Sequence, residues 1–264
     1  MKKFEKYLHR KNALIPKIHQ DILKKGAEIP ITSILDRNDI NQLLDDGYLA
    51  CENGFCRLPD ESTFVAVLTQ MPGVTLEMID WWFWWHAAEP IRYQIWYPAM
   101  HFDNKADFGE YYHDNTKTYS ERLHLSSHLV TEDVGLGRDK ILIDFMHPIA
   151  FGFDANQLNL EKETIICAKV GAPDKGVWGT EMCHFVRTTP EGVEMRSRFW
   201  IGNKITRMSG FGKTILNAIL NRPFVKRNLI PREVGLSMFH HCSQEYHNLA
   251  AILPTLYEEE RQAD

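Results

Sequence analysis

Apolar and polar positions change rhythm along this chain. Over the first sixty residues they follow helical spacing in short pieces. Ile18, Ile22 and Leu23 share a face ahead of Gly26, and residues 38–44 predict another short helix ending near Gly47. Residues 1–62 therefore read as a small, mostly helical arm or cap. After Ser62 the period drops to two. Residues 63–71 alternate and are rich in Phe, Val and Leu, which predicts a strand closed by Pro72-Gly73. Residues 75–86 predict a helix with Thr75 as N-cap, Met78, Trp81, Trp82 and Trp85 on one side, and Pro90 as its stop. Further strands are predicted over 91–97, 140–145, 164–170, 180–188 and 193–201, the last two joined by the hairpin-type turn Thr189-Pro190-Glu191-Gly192. Residues 213–221 predict a short helix. The preceding Gly210-Phe211-Gly212-Lys213-Thr214 lacks the glycine spacing of a phosphate loop and reads as a turn. Residues 234–262 predict a long helix with Met238, Leu249, Ile252 and Leu256 on one face and a possible bend at Pro254. Antiparallel strands followed by a long terminal helix imply an α+β fold. Its catalytic or binding domain spans 63–264, a curved sheet gripping the C-terminal helix around a cavity.

The chain has 264 residues and a formal net charge of −5. That length supports one large domain, or one domain with an appendage. The basic runs over 2–11 and 226–232 are short, which argues against a broad nucleic-acid surface. No run approaches the roughly 20 apolar residues of a membrane helix. The charged N-terminus lacks the apolar stretch of a signal peptide, so a cytoplasmic location is expected. Five cysteines, an odd number without a CxxC pair, imply reduced thiols. Cys51 and Cys56 lack the second pair of a zinc knuckle.

The chemistry starts in the terminal helix. His241 and Glu245 stand four residues apart and continue the row Met238, Leu249, Ile252, Leu256, the face meant for the core. Burying a carboxylate and an imidazole there costs several kcal/mol unless something compensates (roughly as for any buried charge). A divalent metal compensates both; the alternative is a plain buried His–Glu hydrogen bond. His240 and His247 lie well around the helix and are expected on the solvent side. Further ligands must come from elsewhere. His101 follows the aromatic stretch Ile91, Ile95, Trp96, Tyr97, where a strand gives way to a loop, and Glu132 sits between apolar residues. A rival trio, His124, His128 and Glu132, would share one face if that segment were helical, although its Ser and β-branched content speaks against a helix.

An ordered set of blocks then brings a family into view: Met78-Ile79-Asp80-Trp81-Trp82-Phe83-Trp84-Trp85-His86, Arg92-Tyr93, His101-Phe102-Asp103-Asn104, Thr131-Glu132-Asp133, Glu181-Met182-Cys183-His184, and His241 with Glu245. From about Thr75 to Glu245 the chain resembles the 2,4-diacetylphloroglucinol and phloretin hydrolases. The N-terminal portion matches poorly. The resemblance implies a Bet v 1/START-like sheet-and-helix grip and one zinc ion per chain held by His101, Glu132, His241 and Glu245. It also implies substrate contacts from Tyr93, Asn104 and His184, and a homodimer. A second family tyrosine falls on Phe199 here, which removes one hydroxyl contact and leaves the substrate's identity open.

The residue types suit the implied reaction. Two nitrogen and two carboxylate donors match zinc. Hydrolysis of an aryl–acyl bond needs a polarised acyl carbonyl and a proton for the ring carbon. His184 or Tyr93 is apt for moving that proton. Taken singly, each residue has an ordinary alternative. Four tryptophans within five residues cannot all face one way and are suited to core packing. Tyr93 could be a plain strand aromatic, Asn104 a turn residue, and His184 a satisfied core histidine. Two other classes remain: a ligand-binding protein without chemistry, and a metal-dependent esterase, amidase or 1,3-diketone hydrolase, kept open by Phe199.

Overall fold

The structure is a computed structural model that describes residues 4–210 and 213–261. Eight strands form one curved sheet: β1 (Gly54–Arg57), β2 (Thr63–Pro72), β3 (His101–Asp107), β4 (Ser127–Asp133), β5 (Arg138–Met146), β6 (Glu163–Ala172), β7 (Val177–Thr189) and β8 (Gly192–Arg207). Their spatial order is β1-β2-β8-β7-β6-β5-β4-β3, and every neighbouring pair is antiparallel. The helices are α1 (Glu5–Leu8), α2 (Lys17–Lys25), α3 (Leu76–Trp85), α4 (Pro90–Gln94), α5 (Tyr119–Leu123), α6 (Pro148–Phe151), α7 (Lys213–Leu220), α8 (Pro223–Leu229) and α9 (Val234–Arg261). The long helix α9 packs on β1 and β2, and α3 packs on α9, β6 and β7. This is the α+β grip of a sheet on a terminal helix expected from the pattern.

Both faces of the sheet are covered. On the inner face Val65, Val67, Met195, Phe199, Met182 and Ile166 meet the aromatic side chains of α3 and the Leu249, Ile252 and Leu256 row of α9. On the outer face Phe64, Ala66, Cys183, Phe185 and Trp200 meet Leu35, Ile40 and Leu43 of the N-terminal segment together with Phe151 and Phe153. Strand alternation thus separates two cores rather than core from solvent. It also buries charge: Arg196 and Arg198, 1% and 0% exposed, reach Glu52 at 2.7 and 2.6 Å. Burial pushes the Glu52 carboxyl up, but the two guanidinium groups outweigh it and hold it below the usual range.

The turn between β7 and β8 and the Thr75 cap form as expected: Thr75 Oγ1 accepts from Met78 N at 3.2 Å. Residues 91–97 differ. They contain α4 and no strand. Pro90 opens this helix as its first residue instead of closing the previous one. Arg92 holds the turn by bonding Glu89 at 2.8 Å and lying over the Trp85 ring. Residues 37–43 are 3-10 turns rather than α-helix. Strands β1, β3 and β4 had no counterpart in the pattern. The suggested turn around Gly210 lies partly in residues 211–212, outside the described residues, as do residues 1–3 of the basic run and the expected end of the last helix at residue 262.

Asp80 on α3 offers a test of this packing. It accepts a hydrogen bond from Thr164 on β6 at 2.7 Å. Burial pushes its carboxyl from 3.8 up to about 6, against the pull of that bond. The folded chain therefore binds a proton more tightly than the unfolded one. Stability from this group is present below the unfolded value, falls as pH rises through about 4 to 6, and the cost is constant above. Asp80→Asn keeps an acceptor for Thr164. It is expected to stabilise the fold at pH 8 by about 1–3 kcal/mol, with the gain vanishing toward pH 4. A thermal-melting gain independent of pH would contradict the assignment.

Candidate active site

Four side chains from three elements meet beside a cavity between the sheet and α9. His101 opens β3, Glu132 lies on β4, and His241 and Glu245 stand one turn apart on α9. Antiparallel pairing puts His101 directly across from Glu132. The Nε2 atoms of His101 and His241 are 3.4 Å apart. Glu245 Oε2 is 3.3 Å from the first and 3.4 Å from the second, and Glu132 Oε2 is 3.7 Å from His101 Nε2. His101, His241 and Glu245 are all buried, and their ligand atoms lie within 4.8 Å of one another. They form a possible metal site.

Two carboxylates and two imidazoles face one another in this group, a donor set that suits a cation. His101 Nδ1 lies 3.2 Å from the Tyr93 carbonyl oxygen and must donate to it. A neutral His101 ring therefore turns a bare Nε2 lone pair toward His241 and two carboxylates. Burial pushes the Glu245 carboxyl up, yet His241 and His101 outweigh it and hold it at about 2. Burial pushes His241 down, yet Glu245 and Glu132 outweigh it and raise it. A tetrahedral zinc with bonds of 2.0–2.1 Å separates its ligand atoms by about 3.3–3.4 Å. Three of the four measured separations have that length, and the donor set of two imidazoles and two carboxylates fits the ion. The Tyr93 hydroxyl donates to Glu132 Oε2, and the Trp96 indole donates to the Glu245 carbonyl at 2.9 Å. Both outer partners fix the donors in place.

The cavity holds 170 Å³ and is walled by Phe83, Trp96, Phe145, Met182, Phe199 and Ile201, with Glu132, His241 and Glu245 at one end. His184 on β7 projects into it and is buried. Burial pushes its ring down to about 4, so it is neutral near pH 7. Both nitrogens are engaged: Nδ1 with Ser197 Oγ of β8 and Nε2 with the Tyr246 hydroxyl of α9, each at 2.8 Å. Phe199 lies beside His184, its ring centroid 5.8 Å away, where it offers no hydroxyl.

The remaining sequence candidates fall differently. Tyr93 lines the cavity from α4, not from a strand. Asn104 pairs with Val130 in the β3–β4 ladder but does not line the cavity. Its amide is buried with neither polar atom partnered, beside a separate surface pocket. The rival trio separates because its segment is a strand: His128 and Glu132, four apart, share a face of β4, while His124 sits at the end of α5 in another pocket. His240 is exposed, whereas His247 is half-buried and its Nδ1 bonds the Ser243 carbonyl. Sequence reasoning missed Ser197, Tyr246 and the cavity-lining role of His86. Tyr246 directly follows Glu245, but no spacing rule distinguishes it from a core aromatic. Ser197 could have been found as the lone small polar residue on the inner row Val193, Met195, Phe199, Ile201 of a strand.

The family model described as the DAPG hydrolase PhiG domain matches residues 34–258. A phloretin hydrolase from Eubacterium ramulus is 34% identical over 262 residues, 98% of this chain and 90% of that protein. A 2,4-diacetylphloroglucinol hydrolase from Pseudomonas protegens is 30% identical over 230 residues, 84% of this chain and 72% of that one. A match over most of the chain, joined to relatives of this identity and coverage, means that the chain belongs to the 2,4-diacetylphloroglucinol (DAPG) hydrolase family.

Proposed function

We propose that this protein is a zinc-dependent hydrolase that cleaves the carbon–carbon bond between a polyphenol ring and an acyl group, releasing the polyphenol and a carboxylic acid. The observation that carries the reading is the convergence of His101, His241 and Glu245 at 3.3–3.4 Å from one another, with Glu132 3.7 Å from His101, beside an aromatic-walled cavity, in a member of a family whose relatives are named for acylphenols. Residues 63–264 form the catalytic domain on this reading, and residues 1–62 an arm.

In the reaction, water adds to the acyl carbonyl, the aryl–acyl bond breaks, and its electron pair passes to the ring. A phenolic ring accepts that pair because its keto tautomer places the charge on oxygen. That tautomer already carries the proton on the acyl-bearing ring carbon, delivered before the bond breaks, so cleavage leaves a phenolate and a carboxylic acid. A divalent ion held by His101, Glu132, His241 and Glu245 would supply Lewis acidity. The chain's own residues do the rest. Glu132 and Glu245, with the two imidazoles, fix the ion's position. Phe83, Trp96 and Phe145 exclude bulk water and stack on a flat ring. His184, neutral and held between Ser197 and Tyr246, holds or moves the proton destined for the ring carbon. Tyr93 orients Glu132 and lines the cavity, where its hydroxyl oxygen is available to accept from a ring hydroxyl.

The test is metal analysis of the purified chain with product analysis on acylphloroglucinols, phloretin and simple aryl esters. One divalent ion per chain, a polyphenol product and loss of turnover on chelation are expected. Hydrolysis of aryl esters or 1,3-diketones alone would move the reaction to another bond. A metal-free chain that binds polyphenols without turnover would make it a binding protein.

A further inference from the structure

We propose that His86 and His128 form a second recognition point in the cavity, a pair of bare imidazole acceptors that takes hydrogen bonds from the hydroxyls of the substrate's polyphenol ring. The inference rests on the reading of the substrate as an acylphenol and specifies how its ring is selected.

Both histidines line the same cavity as the cluster of His and Glu side chains, both are buried, and their ring centroids are 5.6 Å apart. Neither belongs to the metal cluster. Their proton positions follow from their neighbours. His86 Nδ1 lies 2.7 Å from the Trp82 carbonyl oxygen, which only accepts, so Nδ1 carries the hydrogen. Ser126 spends its single hydroxyl hydrogen on the Leu123 carbonyl at 2.8 Å. At 3.3 Å it can therefore only accept from His128, and His128 Nε2 carries the hydrogen. In neutral rings this leaves His86 Nε2 and His128 Nδ1 with lone pairs. Among the described residues neither atom has a hydrogen-bond partner, and neither is among the polar atoms sealed from open space without one.

The rings cannot swing to find other partners. His86 is stacked on Trp82 at 5.2 Å and bounded by Phe83 and Trp96. His128 is wedged against Phe145 at 4.7 Å and Phe108 at 5.5 Å. Two fixed acceptors in an aromatic cavity discriminate by chemistry. A ketone, carboxylate or phosphate brings only lone pairs against them. A hydroxylated ring brings donors, and a ring lacking them leaves two buried acceptors unpaired. The pair supplies hydroxyl recognition in a pocket where Phe199 supplies none.

The experiment measures binding of phloroglucinol and of resorcinol, which lacks one ring hydroxyl, to the metal-loaded full chain by calorimetry. It compares wild type with His86→Leu, His128→Leu and the amide variants His86→Gln and His128→Gln. Wild type is expected to prefer phloroglucinol by about tenfold. The Leu variants should lose that preference with metal content unchanged, and the Gln variants, which carry an acceptor oxygen, should recover part of it. Should the Leu variants fail to fold, the Gln variants decide by an altered or unaltered preference. Folded variants that all keep the wild-type preference would overturn the assignment. Turnover separates this outcome from failure of the parent reading: wild type that hydrolyses no acylphenol refutes the substrate class, whereas normal hydrolysis with unchanged preference refutes only the histidine pair.

Discussion

Glu245→Gln and His241→Ala are expected to yield folded protein that has lost its metal and at least about 10³-fold in kcat/KM toward an acylphloroglucinol. The reason is geometric. Each residue supplies one of three ligand atoms lying 3.3–3.4 Å apart, and His101 cannot replace either, because its own Nε2 already occupies one corner. Glu245→Gln keeps the size of the side chain, and the Trp96 bond to the Glu245 backbone carbonyl survives any side-chain change. The helix therefore stays in place while the negative charge that would balance a bound cation disappears. Metal content by mass spectrometry and circular dichroism together read this out. Full metal occupancy in both variants would reject the site.

His184→Ala is expected to keep the metal and to lower kcat by about 10²–10⁴-fold, the usual contribution of a positioned proton-transfer group. His184 does not approach the ligand cluster through any hydrogen bond of its own. Its partners are Ser197 and Tyr246. Removing the ring strands both hydroxyls in a buried environment, so some stability is lost as well. His184→Gln separates the two effects, since an amide preserves hydrogen bonding but cannot shuttle a proton. A slow but stable His184→Gln protein supports the chemical role. Unchanged kcat in either variant removes His184 from the mechanism and leaves Tyr93 as the group to examine.

The scaffold buries charge in a way that its pattern conceals. The β8 stretch Val193-Glu194-Met195-Arg196-Ser197-Arg198-Phe199 alternates apolar with charged residues, which ordinarily marks a strand half open to water. Here the charged face is buried as deeply as the apolar one, because residues 29–58 fold over it and bring Glu52 to both arginines. Breaking such a pair leaves buried charge uncompensated. The arm thus belongs to the packing of the sheet, whatever else it does.

The terminal helix was determined by sequence alone. Its apolar row and the His241–Glu245 step are local facts, fixed by 3.6 residues per turn, and they survive into the structure unchanged. The β7–β8 hairpin and the Thr75 cap are local in the same sense, set by turn and cap chemistry within a few residues. The tertiary structure alone decided the rest. Residues 91–97 carry apolar side chains at period two, yet Pro90 and the contacts of Arg92 make them a helix and its exit, too short to show its own period. Strand β3, at the sheet edge, has polar residues on both faces and so carries no clean alternating signal, although it delivers His101 opposite Glu132. Which distant side chains share a point in space depends on strand order and register. Those are set by long-range burial that no window along the chain contains.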